Sequence, residues 1–124
     1  MLDAALNDFG KRMGLPTLAF SPEGLVALDV QDLGRLHFER SHGKAGEELL
    51  VYLARDIPGY DDGTVDRALG LCHYGHGATF AIAAGLRGDT LLLLTRIPAR
   101  QASAAVLENA VMRLIQALKT AQGA

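Results

Sequence analysis

The sequence predicts a two-layer α+β domain, in which helices cover a five-stranded antiparallel sheet. Three observations carry this prediction. Apolar residues recur at helical spacing near both ends and in the middle of the chain, and five strand-like runs lie between these segments. The links between neighbouring strands are short, which favours antiparallel pairing. The predicted order is α-β-β-β-α-β-β-α, within one domain over residues 1–124.

The first helix is predicted over residues 2–13. Its apolar stripe consists of Leu2, Leu6, Phe9 and Met13. Polar residues occupy the other side, as expected for an amphipathic helix. Gly14 and Pro16 then end it.

Three strands follow, over residues 24–30, 35–40 and 48–55. The second alternates apolar and polar residues, which is typical of a strand with one buried face. Residues 31–34 form a plausible turn, and the polar, glycine-rich residues 41–47 suggest a flexible hairpin connection.

The second half of the chain predicts a helix, a hairpin and a last helix. Asp61 and Asp62 offer caps for a helix that runs to about residue 74. The hairpin strands are placed at 79–84 and 90–97, and the last helix at 101–121, where the apolar spacing is again helical.

Composition and charge exclude several classes of function. The net charge is −2 and the basic residues are scattered, which argues against nucleic acid or an anionic membrane as a partner. The longest apolar stretch, residues 91–94, is too short to span a bilayer, and the first residues do not resemble a signal peptide. With Cys72 as the single cysteine, we expect a reducing, cytoplasmic location.

The sequence offers few candidates for chemistry. Cys72 and His76 have the i, i+4 spacing of a metal site or a Cys–His pair, but Gly75 and Gly77 are expected to end the helix there. A small enzyme that uses Cys72 and His76 stays as one alternative, and thiol reactivity would test it. We therefore expect no catalytic residue, no metal and no cofactor.

Apolar surface is in excess instead. The first helix, the first strand and the middle helix each carry more apolar residues than a one-faced element requires. In a domain of this size, that excess predicts a dimer or a groove for a peptide.

The chain resembles the class I type III secretion chaperones, the CesT/SycE-like family, over essentially its whole length. The resemblance is carried by hydrophobic patterns at residues 6–10, 13–15, 25–34, 50–53, 67–71 and 80–94. Within that family it is most similar to the SycN-like branch, notably in Gly14-Leu15-Pro16-Thr17 and Tyr52-Leu53-Ala54-Arg55.

The resemblance implies a cytoplasmic chaperone that holds the extended N-terminal segment of a secreted effector or gatekeeper. The cargo-binding residues would be Leu2, Leu6, Phe9, Met13, Leu25 and Leu28. The dimer interface would comprise Val65, Leu69, Cys72, Phe80 and Ile82. SycN-like proteins also pair with a second small chaperone, so the resemblance leaves a homodimer and a heterodimer open.

An alternative from another class is a dimeric α+β scaffold module of roadblock- or profilin-like type, which would bind folded partners. The predicted order of elements, with three strands before the middle helix and two after it, argues against that class.

Overall fold

The computed structural model describes residues 2–44, 46–57, 67 and 81–122. Within them the chain forms two α-helices, five strands and a short 3-10 helix at Ala99–Gln101. In chain order they are α1 (Leu2–Arg12), β1 (Leu25–Val30), β2 (Gly34–Gly43), β3 (Gly46–Asp56), β4 (Ile82–Arg87), β5 (Thr90–Pro98) and α2 (Ala104–Ala121).

The five strands form one antiparallel sheet in the order β1-β2-β3-β5-β4. β3 lies in the middle, and it pairs with β2 on one side and with β5 on the other. Of the described strands, β1 and β4 lie at the two edges, so each has a described strand neighbour on one side only. This confirms the predicted five-stranded antiparallel sheet.

One face of the sheet, here called the helix face, is buried beneath α1 and α2. The alternation of a strand places every second side chain on it. Its buried strand residues are Leu36, Phe38, Leu49, Val51, Leu53, Leu91, Leu93, Thr95 and Ile97. The intervening residues point to the opposite face, here called the outer face, and most of those in β3 and β5 are half-buried.

The two helices complete the core from above. α1 contributes Leu2, Leu6 and Phe9, and α2 contributes mainly Leu107, Leu114 and Leu118. Ser103 caps α2, because its hydroxyl accepts a hydrogen bond from the backbone N–H of Val106 at 3.2 Å. At the surface, Arg12 of α1 donates to Glu108 of α2 at 2.8 Å.

The turn between β1 and β2 has an unusual backbone. Asp32 has a φ of +64° and Gly34 a φ of +154°. A Cβ atom at position 34 would lie 2.2 Å from the carbonyl oxygen of Ala54. Only glycine therefore fits there, and β2 can approach β3 closely where it begins.

The structure moves some predicted boundaries. The polar segment 41–47 is mostly strand, since β2 and β3 pair as far as Gly43 and Gly46. β4 begins and ends about three residues later than predicted, and the hairpin turns at Gly88 and Asp89. The last helix begins at Ala104, after the 3-10 turn. The predicted middle helix at 61–74 lies outside the described residues, apart from Arg67.

Candidate functional site

The outer edge of β1 presents main-chain hydrogen-bonding groups. In an antiparallel ladder, alternate residues bond to the neighbouring strand while those between them point away from it. Arg40 of β2 donates its N–H to the carbonyl of Gly24 at 2.8 Å, so Gly24 and Arg40 form a bonded pair. By the observed register, Val26, Leu28 and Val30 then bond to β2 as well.

The residues between these, Leu25, Ala27 and Asp29, direct their main-chain groups outwards. Ser21 occupies this edge at Leu25: its N–H donates to the Leu25 carbonyl at 2.9 Å, and its Oγ accepts from the Leu25 N–H at 3.1 Å. Within the described part of the chain, those are the hydrogen bonds on this edge. None of the other described residues bonds to the outward main-chain groups of Ala27 and Asp29, and groups of this kind can pair with a strand from another chain.

The edge strand itself carries an exposed apolar side chain. Leu25 is 42% exposed and points to the outer face, and Met13, just past the end of α1, is also 42% exposed. Leu28 is half-buried and points to the helix face, because it lies an odd number of residues from Leu25. The predicted cargo residues of β1 thus lie on opposite faces of one strand.

The predicted cargo residues within α1 lie in the core of the chain. Leu2, Leu6 and Phe9 are 2%, 0% and 1% exposed. They pack into the core of their own chain, so in this conformation their side chains are not available to a second chain. An amphipathic stripe shows only that one face of a helix is covered. Here the sheet and α2 cover it.

Arg40 fastens the segment between α1 and β1 to the sheet. Its Nη2 lies 2.8 Å from Oδ2 of Asp3, and its Nε lies 3.9 Å from Glu47. Its guanidinium also lies over the ring of Phe20, 4.6 Å from the centroid, a cation–π contact. Together with the Gly24 bond, these contacts fix the chain as it enters the edge strand.

The outer face carries a second feature, a groove of about 570 Å³ between β2 and β4. Its floor includes His37 and Tyr52, whose rings stack with centroids 4.6 Å apart and planes 9° apart. Leu50, Leu92 and Leu94 supply apolar surface, while Glu39 and Arg87 supply charge.

The stacked pair titrates abnormally. Burial, and next the positive charge of Arg35, lower the pKa of His37, although Glu39 acts in the opposite direction. Burial, and next Glu39, raise the pKa of Tyr52. Both shifts favour the neutral forms, as expected for partly desolvated rings. The sequence alternation placed His37 on this face but gave no sign of the stack.

Of the predicted dimer residues, Ile82 is described. It is half-buried at the start of edge strand β4, opposite Thr95, and packs against the core. Val65, Leu69, Cys72 and Phe80 lie outside the described residues.

The described residues offer little for catalysis. Among residues 2–44, 46–57, 67 and 81–122, His, Cys, Asp and Glu side chains do not gather in threes that could hold a metal ion. Cys72 and His76 fall outside these ranges. None of the described helices is long and apolar enough to cross a membrane.

Sequence reasoning missed Ser21, Ala27 and Asp29 as parts of the edge. A serine a few residues before a strand, followed by a glycine such as Gly24, is a weak sequence signal for the turn in which Ser21 bonds to Leu25. Strand order determines which strand is an edge, and that order is a property of the whole sheet.

Comparison with known structures supports the fold. The Yersinia pestis type III secretion chaperone SycH, solved with a stable fragment of YscM2, aligns with a TM-score of 0.70 and 17% identity over 97% of this chain and 98% of that one. The ExsC–ExsE complex gives a TM-score of 0.71 at 20% identity, over 96% and 89% of the two chains. The chaperone–effector complex of HopA1 and SchA gives 0.68 at 18% identity, over 97% and 91%.

No curated protein sequence matches this chain significantly. The family model described as type III secretory system chaperone SycN matches residues 1–121. That match spans both helices and all five strands described above. The chain therefore belongs to the SycN family of type III secretion chaperones.

Proposed function

We propose that this protein is a cytoplasmic chaperone that binds the extended N-terminal segment of a type III secretion effector or gatekeeper and keeps it competent for secretion. The observation that carries the proposal is the outer edge of β1, where Ala27 and Asp29 direct their main-chain groups away from the sheet. An unfolded segment can pair with such an edge as an added strand.

The side chains around the edge fit an extended apolar partner. Residues of an added strand alternate between the two faces of the sheet. On the outer face they would meet Leu25, and on the helix face they would meet the half-buried Leu28. Met13 adds exposed apolar surface at the end of α1.

This mode of action requires no catalysis and no cofactor. Main-chain hydrogen bonds hold the partner, and burial of its apolar side chains adds affinity. Ordering an unfolded segment costs a few kcal/mol, about 2–5 in similar cases, which offsets part of that gain. The bound cargo therefore stays removable by a secretion apparatus.

The family and the similar folds support this partner class. SycH was solved with a fragment of YscM2, ExsC with ExsE, and SchA with the effector HopA1. For assembly, we propose a dimer, with itself or with a second small chaperone, through the segment containing Val65, Leu69, Cys72, Phe80 and Ile82.

Co-purification of the tagged chain from its native host, followed by mass spectrometry, tests the proposal. We expect a secreted protein in stoichiometric amount, and limited proteolysis should protect a segment within its first hundred or so residues. Recovery of folded partners alone, or of a secreted protein held through a folded domain, would contradict the chaperone function and favour a scaffold module.

A further inference from the structure

We propose that Arg55 is a positioning residue for the cargo-binding edge: it reaches from β3 to the turn that ends β1 and fixes that turn against the end of α2. This inference rests on the proposed function, since it concerns the strand at which cargo would pair. Arg55 belongs to β3, two strands away from the edge, and its side chain lies on the helix face beyond Leu53.

The first set of contacts holds the turn. Nη1 of Arg55 donates to the carbonyl of Asp32 at 2.8 Å and to the carbonyl of Leu33 at 2.9 Å. Both carbonyls belong to the turn in which Asp32 has positive φ. A charged donor gives stronger bonds to such carbonyls than a neutral one.

The second set ties the same guanidinium to α2. We assign the amide oxygen of Gln122, at the C-cap of that helix, to the side that faces Arg55, because that orientation satisfies both groups. Oε1 then accepts from Nε of Arg55 at 2.8 Å and from Nη2 at 3.2 Å. A second arginine, Arg67, donates to the carbonyl of Ala121 at 2.5 Å. Two cations thus lie where the helix dipole is negative.

These contacts matter for β1 because, among the described strands, β2 is its one neighbour. The turn between β1 and β2 therefore contributes strongly to the register and stiffness of β1. Arg55 connects that turn to the central strand β3 and to the end of α2. A loosened turn would let β1 fray, and the outward groups of Ala27 and Asp29 would lose their fixed spacing.

Amide hydrogen exchange tests the positioning role without cargo. In Arg55→Met, the β1 amides of Val26, Leu28 and Val30 should exchange faster. We expect an increase of about tenfold or more relative to the central amides of Val51 and Leu53, the ratio expected for losing hydrogen bonds to a charged donor. Arg55→Lys should lie in between, since an ammonium group can reach the turn carbonyls but lacks the fork that also holds Gln122.

Arg96→Met is the matched control. Arg96 is an exposed arginine on β5 that makes one ion pair, 2.7 Å to Glu48. Its loss should leave the exchange of β1 unchanged relative to the central strands. If Arg55→Met raised exchange evenly over all strands, or not at all, Arg55 would be an ordinary stabilising residue and the proposal would be wrong.

The functional arm uses the N-terminal segment of the secreted protein recovered by co-purification. Its affinity should fall about tenfold for Arg55→Met and be unchanged for Arg96→Met. Faster β1 exchange with unchanged affinity would show that cargo binds elsewhere and would overturn the proposal. If the native chain recovers no secreted protein, the proposed function fails, and the exchange result still decides whether Arg55 holds β1.

Discussion

The ring of Phe9 in α1 packs on the ring of Phe38 in β2, with centroids 5.5 Å apart and planes inclined at 57°. Both side chains are fully buried. This contact joins the first helix to the sheet beside the edge strand. The apolar stripe of α1 therefore stabilises the chaperone itself, while Met13, just past the end of α1, stays exposed.

Replacement of Phe9 tests this assignment. Phe9→Ala should lower the free energy of unfolding by about 3–5 kcal/mol, because it removes a buried ring and leaves a cavity. Phe9→Asp should prevent folding, since it would bury an unpaired carboxylate. Urea denaturation followed by circular dichroism measures both effects. A well-folded Phe9→Asp variant that fails to bind cargo would instead return Phe9 to the binding surface.

Leu25→Asp tests the side-chain contacts at the edge. We expect it to fold like the native chain, because Leu25 is largely exposed, and to weaken cargo binding by a factor of about ten or more through lost apolar burial. Leu86→Asp is the control, as Leu86 is 43% exposed on the opposite edge strand. Equal effects of the two variants in a binding titration would argue against a cargo site at β1.

Ala27→Pro tests the main-chain contacts. The Ala27 N–H points away from β2, so proline removes a donor to cargo while the ladder keeps its hydrogen bonds. Cargo affinity should fall, whereas Ala27→Val, which keeps the N–H, should bind like the native chain. Thermal unfolding checks that both variants are folded. Native-like binding by Ala27→Pro would rule out strand pairing at this residue.

His37 predicts a dependence of stability on pH. Its pKa in the folded chain lies below the ordinary 6.5, so the unfolded state binds more protons as the solution becomes acidic. The stability that neutral His37 contributes to the folded chain is therefore fully present above pH 6.5, and it is lost as the pH falls through the folded pKa. Denaturation at about pH 7.5 and about pH 5.5 measures the change. Between these two pH values the free energy of unfolding should fall less in His37→Phe, which keeps the stack on Tyr52, than in the native chain. The same loss in both proteins would contradict the assignment.

Gly34→Ala tests the close approach of β2 and β3. The added Cβ would collide with the Ala54 carbonyl, so the free energy of unfolding should fall by about 3 kcal/mol or more, from strain and a displaced strand. Gly46→Ala is the control, because Gly46 also has positive φ but open space around it. It should lose less, about 1–3 kcal/mol, from backbone strain alone. Similar losses in chemical denaturation would show that φ, and not contact, fixes Gly34.

Local patterns predicted much of this fold, because burial alternates with the geometry of each element. The stripe of α1 and the alternation of β2 are direct consequences of covering one face. The end of the fourth strand was predicted wrongly because Gly85 resembles a turn residue. Gly85 instead lies within β4, where a side chain would meet open space, and the turn falls at Gly88. Ser41 and His42 looked like loop residues, but they pair opposite Glu48 and Glu47 in a long hairpin.

The candidate site was less predictable. A buried stripe has the same sequence pattern whether its own chain or a partner covers it, so the pattern of Leu2, Leu6 and Phe9 does not distinguish a core helix from the cargo surface that the family resemblance implies. The edge position of β1 depends on the pairing of β3 with β5, residues that lie about 40 positions apart in the chain. No pattern within residues 25–30 contains that information.

The first and last helices are in contact although they are far apart in the sequence, since Arg12 and Glu108, which form an ion pair, are 96 residues apart. On the ribosome, α1 emerges long before Leu107, Leu114 and Leu118 are synthesised, and these three residues are needed to cover it. Until these residues are made, the stripe of Leu2, Leu6 and Phe9 lacks the part of its cover that α2 supplies. Until α2 docks, the chaperone is itself an incompletely folded chain with apolar residues that need cover.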